Sequence, residues 1–331
     1  MKKAIYMFAA WVMLSSMQMQ AQERTSKIPK LIFDTDMGPD YDDVGAIAIL
    51  HHLAAKGECE ILATVASDSH VSIAPTIELF NRYFKRPDIP VGMATADAPA
   101  IEAGNHWNDS LIKRFDPSLQ GKRYPSAIEV YRKILAGQQD HSVTIVTVGF
   151  LSNLKALLQS KPDQFSPLNG VELVKQKVKK LVAMAGGFPQ GAEFNVMKDA
   201  SASYEVFRHW PSPILFSGFE IGKELFTGGR VAQESTEENP VAWAYAYNLQ
   251  TYAKEGEKSR PSWDQTAVLC AIRNPEDYFY VNGPGQFVVD EKGNNVWNPN
   301  GKAEHYFLSH KYPYNEMAKK IEDLMMPLVS H

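Results

Sequence analysis

Five aspartates fall within ten residues of one stretch, Leu31-Ile32-Phe33-Asp34-Thr35-Asp36-Met37-Gly38-Pro39-Asp40-Tyr41-Asp42-Asp43. Carboxylates packed this closely repel, and each raises the pKa of its neighbours. A hard cation removes the repulsion, and Ca²⁺ takes carboxylate, carbonyl and water oxygens. Capping a helix N-terminus would account for Asp42 or Asp43, but not for five acids. The stretch therefore points to a metal or catalytic site. Gly38 permits a tight backbone path there, and Pro39 stiffens it.

Four further stretches set polar groups beside apolar runs. Val65-Ala66-Ser67-Asp68-Ser69-His70 follows one run and offers Asp68. Val146-Thr147-Val148-Gly149-Phe150-Leu151-Ser152-Asn153 follows another; its loop carbonyls are free to face a ligand, and Ser152 is placed to cap the next helix. Met184 to Asn195 combines Gly186-Gly187 with Glu193 and Asn195. Two residues apart, these last side chains face one way if the chain is extended. Trp263-Asp264 precedes the apolar run Thr266–Ile272, where Asp264 could be a helix cap or a site residue.

Positioning these groups takes a particular architecture. Apolar runs alternate with amphipathic stretches, which predicts an α/β fold with an open, mostly parallel, doubly wound sheet. Strands are expected at Lys30–Phe33, Glu60–Ala66, Ile89–Gly92, Val143–Thr147, Lys180–Ala185 and Pro213–Ser217. Helices are expected at Val44–Ala55, Ile73–Phe84, Ser126–Ala136, Asn153–Ser160, Ala200–Trp210, Pro240–Glu255 and Tyr314–Met326. Tyr278–His310, rich in Gly, Asn, Pro and aromatics, should add strands and loops. In such sheets ligands bind outside the carboxyl ends of the strands, where the acidic stretch and its companions would converge.

The amino terminus reads as an export signal. Met1-Lys2-Lys3 is basic, Ala4–Leu14 is apolar, and a small, polar segment follows through Gln22. This is the pattern of a signal peptide over residues 1–22, cleaved near Ala21 or Gln22 and too short to span a bilayer. It contains no cysteine for a lipid anchor. The expected location is therefore periplasmic or secreted. The rest of the chain, 23–331, has no linker, repeat or membrane-spanning run and reads as one domain. A net charge of −4 provides no basic field for nucleic acid. Cys59 and Cys270 form no framework pattern and read as buried, small apolar residues.

In four motifs, taken in order, the chain resembles the inosine–uridine-preferring nucleoside hydrolase family from about residue 30 to 325. The family opens with an Asp-x-Asp-x-Gly-x-Asp-Asp cluster after its first strand; Asp34 to Asp43 is similar, with two extra residues between Gly38 and the Asp pair. The others are Val148-Gly149 with Ser152-Asn153, Ala192-Glu193-Phe194-Asn195, and Trp263-Asp264 where the family has His-Asp. The resemblance implies a Rossmann-like nucleoside hydrolase fold and Ca²⁺-dependent hydrolysis of ribonucleosides to free base and ribose. It further implies that Asp36 takes a proton from the attacking water. Asp36, Asp42, Asp43, Asp264 and the Val148 carbonyl would form the metal site. Asp42, Asp68, Glu193, Asn195, Trp263 and Asp264 would contact substrate, with Asp34 supporting the loop. The implied partner is a small riboside, bound by a monomer or by a homo-oligomer such as a dimer or tetramer.

The departures fall on the leaving-group side. Asp68 takes the place of an Asn and Trp263 that of the His linked to leaving-group protonation, which leaves His70 and His106 as candidate acids. Two alternatives follow: a non-catalytic or altered-specificity nucleoside- or sugar-binding protein, and a haloacid-dehalogenase-like phosphatase. The latter wants Thr or Val where Gly38 stands.

Overall fold

A computed structural model of the chain describes residues 28–252 and 257–326. The expected signal peptide lies outside the described residues. Among the described residues twelve strands follow in chain order: β1 Lys30–Thr35, β2 Glu60–Ala66, β3 Val91–Gly92, β4 Val143–Thr147, β5 Val178–Met184, β6 Gln190–Gly191, β7 Ile214–Ser217, β8 Phe226–Thr227, β9 Arg260–Pro261, β10 Phe279–Val289, β11 Asn295–Asn298 and β12 His305–His310. Ten form one sheet in the order β3-β2-β1-β4-β5-β7-β12-β10-β11-β6, and β8 pairs with β9 in a separate ribbon. From β3 to β12 every pairing is parallel. The β12–β10, β10–β11 and β11–β6 pairings are antiparallel.

Residues of β1 show why the strand forms. Leu31, Ile32 and Phe33 are all fully buried, as expected of a parallel strand covered on both faces. Alternation sends Leu31 and Phe33 into one core and Ile32 into the other. Truncating any of them to Ala should cost about 2–5 kcal/mol, the usual price of a large-to-small core change. From β1 the chain crosses outward to β2 on one side, and β4 later docks on the other. The β1/β4 boundary is thus where the strand order reverses, and a crevice opens outside the strand ends there.

All six expected parallel strands are present, shifted by a few residues at most. The expected helices lie at Asp42–Ala55, Ile73–Tyr83, Ala127–Ala136, Ser152–Gln159, Ala200–His209, Pro240–Thr251 and Tyr314–Met325; residues 253–255 of the sixth expectation lie outside the described residues. Helices Trp107–Phe115 and Gly170–Lys177 were not anticipated. The second had a readable signal: Asn169 and Glu172 form a reciprocal capping box. Ser152 does not cap as expected. It is the first helical residue, and its hydroxyl instead donates to Asp199 at 2.5 Å. Cys59 and Cys270 are free and buried, and burial pushes both thiols up to about 12. Among the described residues no helix is long and apolar enough to cross a membrane.

Candidate functional site

A cavity of about 320 Å³ opens at the carboxyl ends of β1, β4 and β5. Its floor is acidic. Asp36 follows β1, Asp42 and Asp43 begin helix Asp42–Ala55, and Asp264 stands in the first turn of helix Trp263–Ile272. Two helix N-termini, each favouring negative charge, thus deliver their aspartates to one point. The N-cap residues themselves, Tyr41 and Ser262, make no side-chain cap bond.

Carboxylate oxygens of Asp42, Asp43 and Asp264 come within 4.8 Å of one another, and all three residues are buried. Asp42 Oδ2 accepts the backbone N–H groups of Trp263 at 3.0 Å and Asp264 at 3.1 Å. Asp43 Oδ1 accepts the Thr35 hydroxyl in a short hydrogen bond, while its Oδ2, close to the Asp264 carboxylate, is buried with no hydrogen-bond donor among the described residues. Burial, followed by the charge of the neighbouring aspartates, pushes Asp36, Asp42 and Asp264 well above the usual carboxylate range. Asp43 is raised mainly by burial, and the Thr35 bond opposes the shift. A buried unpaired oxygen amid mutually repelling carboxylates fits a hard divalent cation. The all-oxygen donor set disfavours soft metals.

Close backbone approach fixes Asp36. A Cβ at Gly149 would come 2.5 Å from Asp36 N and 2.7 Å from its Cβ, so only glycine lets the β4 loop lie against the β1 loop. Asp34, at the end of β1, is tied through its side chain to the helices beside it rather than to this loop. It is fully buried and accepts the Tyr131 hydroxyl at 2.6 Å and the Asn153 amide at 3.2 Å; burial pushes it to about 7 despite those bonds. Asn153 also donates to Ala66 O at 2.7 Å, tying the β1, β2 and β4 ends together.

Val148, Glu193 and Asn195 line the cavity across from the acids. Asn195 Nδ2 donates to the Val148 carbonyl at 3.1 Å and to Met184 O at 3.3 Å. The expectation that Glu193 and Asn195 share a face of extended chain is wrong. Glu193 is the N-cap of a short helix, Phe194–Lys198, and accepts the N–H groups of Asn195 at 2.7 Å, Val196 at 3.2 Å and Gly186 at 3.2 Å. Capping, rather than strand alternation, brings the pair to the cavity. Burial raises the Glu193 carboxyl to about 7 against those three amides. The glycine loop before it is clasped from the far hairpin: Asn295 accepts Gly187 N–H at 3.0 Å and donates to Gly187 O at 2.7 Å.

Asp68 is not among the residues lining the cavity: its oxygens accept the N–H groups of His70 in its own loop at 2.6 Å and of Ile101, 33 positions on, at 2.9 Å, while its charge helps to raise Asp36. Nor do the two candidate acids reach the site. His70 Nδ1 pairs with Ser72 at 2.9 Å, and the exposed His106 hydrogen-bonds Glu102 at 2.6 Å. Trp263 does line the cavity, as does Asp40 of the acidic stretch, along with residues the sequence reading did not single out, notably Phe219 and Arg260. Arg260 and Asp40 form an ion pair across 220 positions of sequence.

Residues 31–310 match the inosine–uridine preferring nucleoside hydrolase family. The chain belongs to that family. It is 26% identical over 272 residues to an uncharacterised protein of Schizosaccharomyces pombe, an alignment covering 75% of this chain and 81% of the relative. It is 28% identical to the pyrimidine-specific ribonucleoside hydrolase RihA of Klebsiella pneumoniae over 56% of this chain and 59% of that protein. Among solved structures, an inosine–guanosine nucleoside hydrolase superposes with a TM-score of 0.69 at 19% identity, covering 90% of this chain and 98% of the other. That likeness establishes the nucleoside hydrolase fold. Family membership also displaces the phosphatase alternative.

Proposed function

We propose that this protein is an exported, Ca²⁺-dependent ribohydrolase that cleaves the N-glycosidic bond of ribonucleosides. The observation carrying the reading is the floor of the cavity: three converging buried carboxylates, one with an unpaired oxygen, facing Glu193 and Asn195. Asp42, Asp43, Asp264 and the Val148 carbonyl would hold the cation, with Asp36 beside them. A calcium ion bound there supplies charge that keeps these acids ionised, lowers the pKa of water and orients ribose hydroxyls.

Breaking the bond between C1′ and the base builds positive charge on the sugar ring. The carboxylates of the floor stabilise that charge. Asp36, buried at the end of β1, takes the proton of the attacking water, a role suited to a carboxylate held within hydrogen-bond reach. Glu193 and Asn195 grip sugar hydroxyls, Glu193 nearer the 5′ side. Asp42 and Asp264 engage the 2′,3′-diol. The test is turnover of inosine and uridine by the calcium-loaded protein, measured before and after chelation and reloading. Absence of turnover in the loaded protein, with calcium retained and the fold intact, would leave the non-catalytic binding alternative.

A further inference from the structure

One cation stands among the described residues lining the cavity: Arg260. It comes from the two-residue strand β9 and lies at the rim above the acidic floor. The guanidinium is paired with Asp40 and lies over two rings, 5.3 Å from the Tyr41 centroid and 5.4 Å from that of Trp263. Trp263 is itself fixed: it stacks on Phe219 at 5.5 Å and donates its indole N–H to Phe219 O at 2.8 Å. Among the described residues Arg260 Nε has no hydrogen-bond partner, but it is buried out of solvent's reach, so a bound base would meet the Nη groups, of which Nη2 donates to Asp40. The rim thus holds a planar, five-donor cation in one orientation beside an aromatic shelf, with donor capacity to spare.

A nucleoside seated with its sugar on the floor directs its base toward this rim. Among the described residues no histidine lines the cavity. Arginine cannot serve as a general acid, since it does not lose its proton in proteins; it can stabilise charge. Resting on the ribohydrolase reading above, we propose that Arg260 is the residue that stabilises the departing base. As the bond breaks, its electron pair passes to the base nitrogen and the water oxygen bonds to C1′. The water proton goes to Asp36, and the base anion, held by the Arg260 donors, is then protonated by solvent as Asp36 returns its proton. Because Arg260 donates and does not accept, it selects bases with a carbonyl oxygen or an unprotonated ring nitrogen on the edge facing it. An amine on that edge would set donor against donor.

The experiment compares inosine and uridine with 4-nitrophenyl riboside, whose phenolate leaves without assistance. Arg260→Gln should lower kcat on the nucleosides about 10²-fold, the usual cost of losing one preorganised donor to developing charge. The loss on nitrophenyl riboside should be less than about tenfold, the much weaker demand expected when the leaving group needs no stabilising donor. Inhibition by free ribose should persist. Arg260→Lys, which keeps the charge opposite Asp40 but loses the fork, should fall between wild type and Gln and guards against misfolding of the Gln variant. Equal losses on all three substrates, or none, would overturn the role of Arg260 alone. Failure of the wild type on all three would overturn the ribohydrolase reading and this proposal with it.

Discussion

The floor of the cavity hangs from strand ends and two helix N-termini, with Glu193 and Asn195 buried beside it, whereas its rim rests on small pieces: the five-residue helix Phe219–Lys223, the β8–β9 ribbon and the exposed ring of Phe194. Asp36, Asp42, Asp43 and Asp264 are at most 5% exposed, while Phe194 and Phe219 are 41% and 43% exposed. Burying like charges is costly unless they are compensated, so the floor has little freedom and demands a particular occupant. Aromatic faces in partial contact with water carry no such penalty, and exchanging one for another changes affinity by modest amounts. Under the proposed function, metal and sugar chemistry would fall to the rigid part and choice of leaving group to the adaptable part.

The largest expected effect tests whether the floor reads the sugar. Inosine and uridine should exceed their 2′-deoxy forms in kcat/KM by on the order of 10⁴, because buried polar groups are left unpaired when the hydroxyl is missing. Asn195→Ala should shrink that ratio; equal rates on ribo and deoxy substrates would separate the floor from the sugar altogether. Next comes Asp36→Asn, for which kcat should drop roughly 10²-fold or more with loss of the general base. Circular dichroism and the unfolding midpoint should stay near wild type, and a variant with near-normal turnover would reject the assignment.

Calcium should sharpen the contrast between the two regions. At a free concentration of 100 times Kd, a ligand that binds only the folded state stabilises by about 2.7 kcal/mol. Thermal unfolding should show that shift in wild type and in Trp263→Ala, and lose it in Asp43→Asn. A calcium shift surviving in Asp43→Asn would move the metal elsewhere. The smallest effect belongs to the rim itself. Trp263→Ala should raise KM for nucleosides by about tenfold, the value of one aromatic stack, with ribose inhibition unchanged. A comparable loss of ribose inhibition would mean that rim and floor are not separable.

Much of this was legible because the relevant features are local. Leu31–Phe33 is apolar and ends in acids, so both the strand and the chemistry at its end can be read together. Gly149 sits where two loops touch, though its contact with Asp36 appears only in three dimensions. Glu193 and Asn195 were found by type but misread in conformation, since a two-residue spacing looks the same in a strand and at a helix cap. Nothing in the position of Asp68 after β2 encodes that its oxygens accept the amides of His70 and Ile101, the second 33 positions away. Arg260 went unrecognised because its partner Asp40 lies 220 positions away, and no local pattern encodes such a pairing.

The clasp of Asn295 on Gly187 and the hold of the Trp263 and Asp264 amides on Asp42 also bear on when the pocket comes into being. Asp36 to Asp43 leave the ribosome early, but the groups that complete and brace their surroundings arrive more than two hundred residues later. Contacts of such separation form slowly and only after long loops close. A nascent chain therefore carries its cluster of acids without a finished receptacle, and the ability to seize a nucleoside is acquired by the whole polypeptide late in folding rather than by any fragment along the way.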